Sequence, residues 1–129
     1  MADLNLVQEW VRKADDDLKY AEYTIRDTEY YAHACFNCQQ AAEKYLKAFI
    51  IAKDLPFAKT HILAALLKTC KDAGYPFGNL LDAVNALDSC YIDTRYPVHW
   101  PSGYTKEKAV EAYEAAVEIR AAAMSALGF

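Results

Sequence analysis

Residues 93–100 bring together side chains that could recognise a phosphate or a base. The segment reads Asp-Thr-Arg-Tyr-Pro-Val-His-Trp and carries the cation of Arg95 and the imidazole of His99. An arginine can bind a phosphate through two parallel hydrogen bonds, and a histidine can exchange a proton near neutral pH. The rings of Tyr96 and Trp100 could stack on a base. The same residues would also suit a corner between two helices, with the rings filling the end of a bundle.

Cleavage of RNA without a metal ion would use groups of this kind. A base must take the proton of the 2′-hydroxyl, and a cation must stabilise the charge that develops around phosphorus. His99 and Arg95 could fill these two roles, and Tyr104 adds another ring for stacking. The residue types therefore permit catalysis, binding or a structural corner.

The overall charge argues against a general affinity for nucleic acid. The chain has 14 Lys and Arg against 18 Asp and Glu, which gives a formal net charge of −4. An acidic protein repels a polyanion at long range, so any contact with nucleic acid must be local.

Length and composition predict one helical domain over residues 1–129. A chain of this length can bury a core without disulfides or metal. We find no signal-peptide pattern and no apolar run of the roughly 18 residues that a membrane span needs, so we expect a soluble, cytoplasmic protein that does not engage a membrane. No pattern for a cofactor is present.

The four cysteines offer only a weak metal motif. Cys35 and Cys38 form a CxxC, but no second pair follows and no histidine stands at ligand spacing from another cysteine. Both positions continue an apolar helical stripe with Ala42, Tyr45 and Phe49. We therefore interpret them as core residues and predict no metal site.

Helical periodicity predicts two long helices in the first half of the chain. A stripe of apolar residues indicates a helix over about residues 5–28, and its members are Val7, Val11, Ala14, Leu18, Ala21 and Ile25. A second helix is predicted over about residues 30–53.

The second half predicts two shorter helices and one long one. Thr60 is a plausible N-cap for the third helix, and the fourth is expected over about residues 79–91. The last helix is predicted to begin after Thr105 and to run to about Leu127. One apolar face of it comprises Ala109, Ala112, Ala116, Ile119 and Ala123, and a second, also expected to be covered, comprises Tyr113, Val117, Met124 and Leu127. The prediction is an all-α, up-and-down antiparallel four-helix bundle with a short extra helix.

Three segments of the chain resemble the HEPN domain family of small prokaryotic helical proteins. They are residues 35–48 (CFNCQQAAEKYLKA), residues 60–63 (THIL) and residues 91–97 (YIDTRYP). The resemblance implies a helical bundle that is usually a homodimer and that acts with a minimal nucleotidyltransferase. It also implies kinship with the helical substrate-binding domain of kanamycin-type nucleotidyltransferases.

Many HEPN proteins are metal-independent ribonucleases or toxins, and this chain departs from their signature. That signature is an Arg, four to six further residues and a His at the start of the last long helix. Here only three residues separate Arg95 from His99, and one of them is Pro97, which opposes a helix. The departure favours binding over catalysis, and Arg95 could instead pair with Asp16 or Asp17.

The resembling segment on the second helix adds polar candidates for a binding cleft. Gln40, Glu43, Lys44 and Lys47 could line a cleft that faces the Arg95 corner and binds a nucleotide or a partner protein. Alternatively, Glu43 and Lys47 form an i, i+4 ion pair that supports a solvated helix surface. His61 is interpreted as satisfying a helix end or a buried acceptor.

Two functions from different classes therefore remain open. The first is a dimeric nucleotide- or RNA-binding partner of a minimal nucleotidyltransferase. The alternative is a metal-independent endoribonuclease, the toxin of a toxin-antitoxin pair, that uses Arg95 and His99. A helical scaffold without either activity is a third interpretation.

Overall fold

The part of the chain that the structure describes contains five α-helices. The structure is a computed structural model and describes residues 3–57, 59–91 and 103–129. In chain order the helices are α1 Leu4–Asp27, α2 Tyr31–Ala52, α3 Leu63–Asp72, α4 Leu81–Asp88 and α5 Lys106–Leu127. Within these ranges no strand forms, so the predicted all-α fold is confirmed.

Helix α1 runs antiparallel to both other long helices, so α2 and α5 run parallel to each other. Only three residues join α1 to α2, which forces the two helices to reverse direction. Asp15 of α1 contacts both Tyr45 of α2 and Arg120 of α5. About two turns further along α1, Glu22 accepts a hydrogen bond from the hydroxyl of Tyr113, which lies earlier in α5. Helices α1 and α5 therefore run in opposite directions.

The core follows the apolar stripes that the sequence predicted. In α1 the buried apolar residues are Val7, Val11, Ala14, Leu18 and Ala21, while Ile25 is only partly buried. All five members of the predicted alanine-rich stripe of α5 are buried. Helix α2 lies at the centre, and between Ala41 and Ile50 every residue except Lys44 is buried. Polar side chains on the inner part of α2 must therefore find partners inside the protein.

The second apolar face of α5 is not covered as predicted. Val117 is 39% exposed, and Tyr113, Met124 and Leu127 are only partly buried against the core. Helix α1 lies beside this face, but it approaches through polar contacts such as the one between Glu22 and Tyr113. The prediction that α5 is buried on two sides was wrong for the single chain.

The short helices differ from prediction at their ends. Helix α3 begins at Leu63 rather than directly after Thr60, whose hydroxyl accepts a hydrogen bond from the Ile62 amide instead. Helix α4 covers Leu81–Asp88 and is shorter than predicted. In contrast, Thr105 caps α5 as predicted, because its hydroxyl accepts from the Lys108 amide at 3.1 Å.

The cysteines occupy the core. All four are free and buried, as the apolar stripe predicted for Cys35 and Cys38. Among the described residues, no group of three or more His, Cys, Asp or Glu side chains is placed to hold a metal ion. None of the described helices is long and apolar enough to cross a membrane.

Candidate functional site

A polar stripe crosses the buried face of α2. Gln39, Glu43 and Lys47 are all buried, although most of their neighbours in the helix are apolar core residues. The Lys47 ammonium lies 2.9 Å from a carboxylate oxygen of Glu43, and each of these side chains is only 7% exposed. An ion pair withdrawn from water is costly unless further hydrogen bonds satisfy it, so this stripe requires partners.

The partners come from the segment that leads into α3. The Nδ1 atom of His61 lies 3.0 Å from the second carboxylate oxygen of Glu43. The side-chain amide of Gln39 donates to the backbone oxygen of His61 at 2.9 Å, and Gln40 donates to Gln39 at 2.8 Å. Among the described residues, no buried side-chain nitrogen or oxygen lacks a hydrogen-bond partner. Residues 39, 40, 43, 47 and 61 thus form one connected set, called here the α2 network.

The α2 network ends at exposed aromatic rings. The His61 ring stacks on Tyr91, with centroids 5.1 Å apart and planes 15° from parallel. Tyr91 also lies near Phe36, with ring centroids 6.2 Å apart. The His61 side chain is 54% exposed and Tyr91 is 42% exposed, so both rings are accessible from solvent. A base could stack on such a surface, because every base presents a π-face.

The structure brings together three of the four polar candidates on α2. Gln40, Glu43 and Lys47 belong to the α2 network, whereas Lys44 points to α1 and forms an ion pair with Asp17. Lys44 is therefore not part of the α2 network, and its role in a binding cleft stays a prediction. Its partner Asp17 had been a candidate for pairing with Arg95.

Tyr104 lies near the end of α4. Its hydroxyl donates to the backbone oxygen of Ser89 at 3.2 Å, and the Lys108 ammonium lies 5.1 Å from its ring centroid. Burial raises the pKa of the Tyr104 hydroxyl above its ordinary value. Ser89 precedes Tyr91 by two residues, so Tyr104 is on the same end of the molecule as the exposed rings.

The remaining site candidates lie outside the described residues. Arg95, Tyr96, His99 and Trp100 belong to residues 92–102, and their roles stay predictions. In the sequence this segment directly follows Tyr91 and ends two residues before Tyr104.

The interpretation of Glu43 and Lys47 as a surface pair was wrong. The pair forms at i, i+4 as predicted, but both side chains are buried. The helix surface that they would have shared with solvent is covered by the segment containing His61. The interpretation of His61 as a partner for a buried acceptor is confirmed, since that acceptor is the Glu43 carboxylate.

Sequence reasoning missed the residue that positions His61. The carboxylate of Asp88 at the end of α4 accepts hydrogen bonds from the backbone amides of Leu63 and Ala64, at 2.7 and 3.0 Å. These amides are at the start of α3, where unpaired donors and the helix dipole favour a negative charge. Asp88 therefore caps α3 from another helix and fixes the segment that carries His61.

A second polar set, called here the Asp15 network, joins the three long helices. The Asp15 carboxylate accepts hydrogen bonds from the Tyr45 hydroxyl and, at 2.9 Å, from Arg120. Although burial opposes it, hydrogen bonds from Arg120 and Tyr45 hold the pKa of Asp15 below its ordinary value. Burial, together with the hydrogen bond to Asp15, raises the pKa of Tyr45. The charged groups of the Asp15 network thus pair with each other. Unlike the α2 network, the contacts described for it do not lead to a pair of stacked rings.

Comparison with known proteins identifies similar chains over almost the whole length. Residues 7–126 match the HEPN domain. The crystal structure of TT1696 from Thermus thermophilus has 34% sequence identity and a TM-score of 0.78, covering 92% of this chain and 96% of that one. The crystal structure of ST0689, an archaeal HEPN homologue, has 28% identity and a TM-score of 0.76, covering 94% and 97%. No curated protein matches the chain.

Proposed function

Because this chain belongs to the HEPN domain family, we propose that it binds nucleotide or RNA as a homodimer and works with a minimal nucleotidyltransferase. The observation that carries the proposal is the α2 network and its exposed end at His61 and Tyr91. Arg95 follows Tyr91 by four residues in the sequence, so a phosphate-binding cation is encoded directly after the stacking surface.

The energetics of the α2 network support a binding role. Replacing a buried ion pair by apolar residues is often neutral or stabilising, so stability alone gives little reason to keep Glu43 and Lys47. The pair does hold Nδ1 of His61, and the His61 ring in turn stacks on Tyr91. We infer that the network orients the exposed rings for a ligand.

The acidic charge of the chain is compatible with this role. A net charge of −4 would weaken binding to a long polyanion, whereas a nucleotide or a short single-stranded segment needs only a local site. Stacking on an aromatic ring contributes about 1–3 kcal/mol per base and tolerates different bases. We therefore expect modest affinity with little sequence preference.

Titration of a short fluorescent single-stranded RNA and of ATP into the purified protein tests this role. The Tyr91→Ala variant removes a stacked ring and is expected to weaken binding roughly five- to hundredfold. Tyr23, an exposed tyrosine on α1, supplies the matched control, and Tyr23→Ala should bind as the unmodified protein does. Absence of binding to either probe, or equal effects of both variants, would contradict the proposal.

The assembly has a separate test. Light scattering should give twice the 14.5 kDa chain mass if the protein is a homodimer. Coexpression with a minimal nucleotidyltransferase from the same genome should yield a complex that survives purification. A monomer that does not copurify with that subunit would remove the partner part of the proposal and leave nucleotide binding to its own test.

The alternative function is that of a metal-independent endoribonuclease using Arg95 and His99, as in a toxin-antitoxin pair. The presence of both residue types in one short segment favours it. Incubation of mixed cellular RNA with the protein in EDTA separates the two functions. Cleavage that is lost in folded Arg95→Ala and His99→Ala variants would establish the ribonuclease. Binding without cleavage would favour the nucleotide-binding partner.

A further inference from the structure

The contacts around His61 determine which of its two ring nitrogens carries a hydrogen. Nδ1 lies 3.0 Å from one carboxylate oxygen of Glu43, and the other oxygen accepts a hydrogen bond from the Lys47 ammonium at 2.9 Å. An ionised carboxylate can only accept hydrogen bonds, so Nδ1 of His61 must be the donor. In the uncharged ring, Nε2 is therefore the nitrogen without a hydrogen.

The Nε2 atom lies on the exposed edge of the ring. The Glu43 side chain is 7% exposed and the His61 side chain is 54% exposed, so solvent reaches the ring mainly at the edge away from Glu43. Stacking on Tyr91, with planes 15° from parallel, sets the plane of the ring. The hydrogen bond and the stacked ring together fix the direction in which Nε2 points.

Protonation of His61 reverses the hydrogen-bonding character of this edge. Because Nδ1 already carries a hydrogen, the ring takes up its additional proton at Nε2. Uncharged His61 presents an acceptor there, and the oxygens of an ionised phosphate are acceptors too. Protonated His61 presents a charged N–H group, which can donate a charge-assisted hydrogen bond to phosphate. Histidine is the side chain that usually changes its charge between about pH 5 and 8.

The charged groups around His61 oppose an anion until the ring is protonated. Glu43 and Lys47 face the ring from α2 and offset each other. From the end of α4, the Asp88 carboxylate binds amides at the start of α3, close to His61, and Tyr91 contributes an uncharged ring. Among these described groups, two carboxylates stand against one ammonium. Protonation of His61 removes this excess of negative charge, so an anion is favoured only by the protonated form.

We propose that His61 binds a phosphate group through Nε2 and that this binding takes up one proton from solvent. The proposal rests on the proposed function, because the phosphate would belong to the nucleotide or RNA whose base stacks at the same surface. Nucleotide binding then strengthens as the pH falls. Glu43 is a positioning residue, since it holds Nδ1 and leaves the titrating nitrogen to the ligand.

Nuclear magnetic resonance of the histidine rings tests the phosphate site without a nucleotide. The probe is inorganic phosphate, compared with sodium chloride at equal ionic strength over about pH 5 to 8. A ligand that binds only the protonated ring raises the pH at which the ring loses its proton, so phosphate should shift the titration of His61 upward. Equal titrations of His61 in phosphate and in chloride would overturn the proposal.

His33 supplies the internal control for this titration. It lines a different cavity together with the carboxylates of Asp16 and Asp17, which disfavour an anion. Phosphate should therefore leave the titration of His33 unchanged, and the spectra of His33→Gln and His61→Gln assign the two signals. An equal shift of both histidines would show a general effect of phosphate and would also overturn the proposal.

Nitrogen chemical shifts of the uncharged His61 ring test the role of Glu43. In the unmodified protein the hydrogen should be on Nδ1. Glu43→Gln keeps the shape of the side chain but can donate as well as accept, so both ring forms should become populated. A hydrogen found on Nε2 in the unmodified protein would overturn the proposal.

Nucleotide binding at two pH values supplies the second test. ATP affinity should rise roughly tenfold between about pH 8 and pH 5.5, because a hydrogen bond to a charged group is stronger than one between neutral groups. Adenosine, which lacks phosphate, should bind with little dependence on pH. His61→Phe keeps a ring that can stack on Tyr91 but removes both nitrogens, so it should lose the rise. Protonation of ATP itself is common to both proteins, so their difference reports on His61.

The outcomes distinguish this proposal from the proposed function. If adenosine and ATP bind but the unmodified protein and His61→Phe respond equally to pH, the nucleotide site stands and the proton-linked phosphate contact is overturned. If neither nucleotide binds, the proposed function is contradicted, and the inorganic phosphate experiment still decides whether His61 binds an anion.

Discussion

The two polar networks of this bundle handle their charges differently. In the Asp15 network, a carboxylate on α1 is shared by the Tyr45 hydroxyl of α2 and the Arg120 guanidinium of α5. Its three members come from the three long helices and satisfy one another. In the α2 network, Glu43 and Lys47 come from one helix, and the chain of contacts continues through His61 to an exposed ring.

This difference separates a structural network from a candidate functional one. Polar groups that link several helices and end among themselves fix how the helices pack, because each loses its partner if the helices move apart. A buried ion pair within one helix adds little to the packing of that helix against the others. Its use must be sought at the end where the network reaches solvent, here at His61 and Tyr91.

The largest expected effect comes from removing one charge of the α2 network. Glu43→Ala leaves the Lys47 ammonium buried without its partner, and we expect a loss of about 3–5 kcal/mol in the free energy of unfolding. Urea unfolding followed by circular dichroism measures it. The paired variant Glu43→Met with Lys47→Met removes both charges and should regain the original stability or exceed it.

The paired variant also sharpens the comparison between stability and function. If the α2 network serves binding, this variant should be stable and yet bind RNA and ATP more weakly, because His61 has lost the Glu43 carboxylate. If the double variant is stable and its binding is unchanged, the α2 network has a structural role, like the Asp15 network, and does not serve binding.

A smaller effect is expected from the Asp15 network. Tyr45→Phe removes the hydroxyl that donates to Asp15 but leaves the ring in the core and Arg120 in place. Loss of a hydrogen bond to a charged group should cost about 1–2 kcal/mol of unfolding free energy. Nucleotide affinity should not change. A variant of normal stability with reduced affinity would reverse the roles assigned to the two networks.

Removal of the Asp88 cap should cost about 1 kcal/mol. Asp88→Ala leaves the amides of Leu63 and Ala64 without their acceptor, and loss of a helix cap typically has this size. Binding should weaken as well, because His61 lies two residues before the start of α3. Asp72, whose ion pair with Lys68 is exposed, supplies the control: Asp72→Ala should have almost no effect on unfolding or binding. Equal effects of the two variants would contradict the capping role.

The smallest effect concerns pH. The folded protein holds the pKa of Asp15 below the value of an unfolded chain, about 3.9. Its stabilising contribution is therefore fully present above about pH 4 and is lost as the pH falls through the folded pKa. Unfolding of the unmodified protein and of Asp15→Asn should converge as the pH is lowered below about 4. A constant difference between them would show that ionised Asp15 is not the stabilising group.

Local periodicity was sufficient for much of the fold. The α1 stripe from Val7 to Ala21 and the α5 stripe from Ala109 to Ala123 were predicted because each repeats at the helical period and each is buried. The Thr105 cap was predictable for a similar reason, since it bonds to an amide only three residues away.

The site depended on contacts between distant parts of the sequence. An i, i+4 pair such as Glu43 and Lys47 normally indicates a solvated surface, and nothing within α2 shows that the segment of His61 covers it. Asp88 caps amides 24 and 25 residues away, on a different helix. Such pairings follow from packing of the helices and have no local signature.

The central position of α2 has a consequence for hydrogen exchange. Between Ala41 and Ile50 the helix is buried on nearly every side, so its amides should exchange only when the whole domain unfolds. The ten residues of α3 and the eight of α4 are held by fewer turns and should open locally at lower free energy. A ligand at His61 and Tyr91 would then bind between α2, whose amides exchange slowly, and the short helices α3 and α4, whose amides exchange faster. Protection gained on binding should concentrate in α3 and at the end of α4.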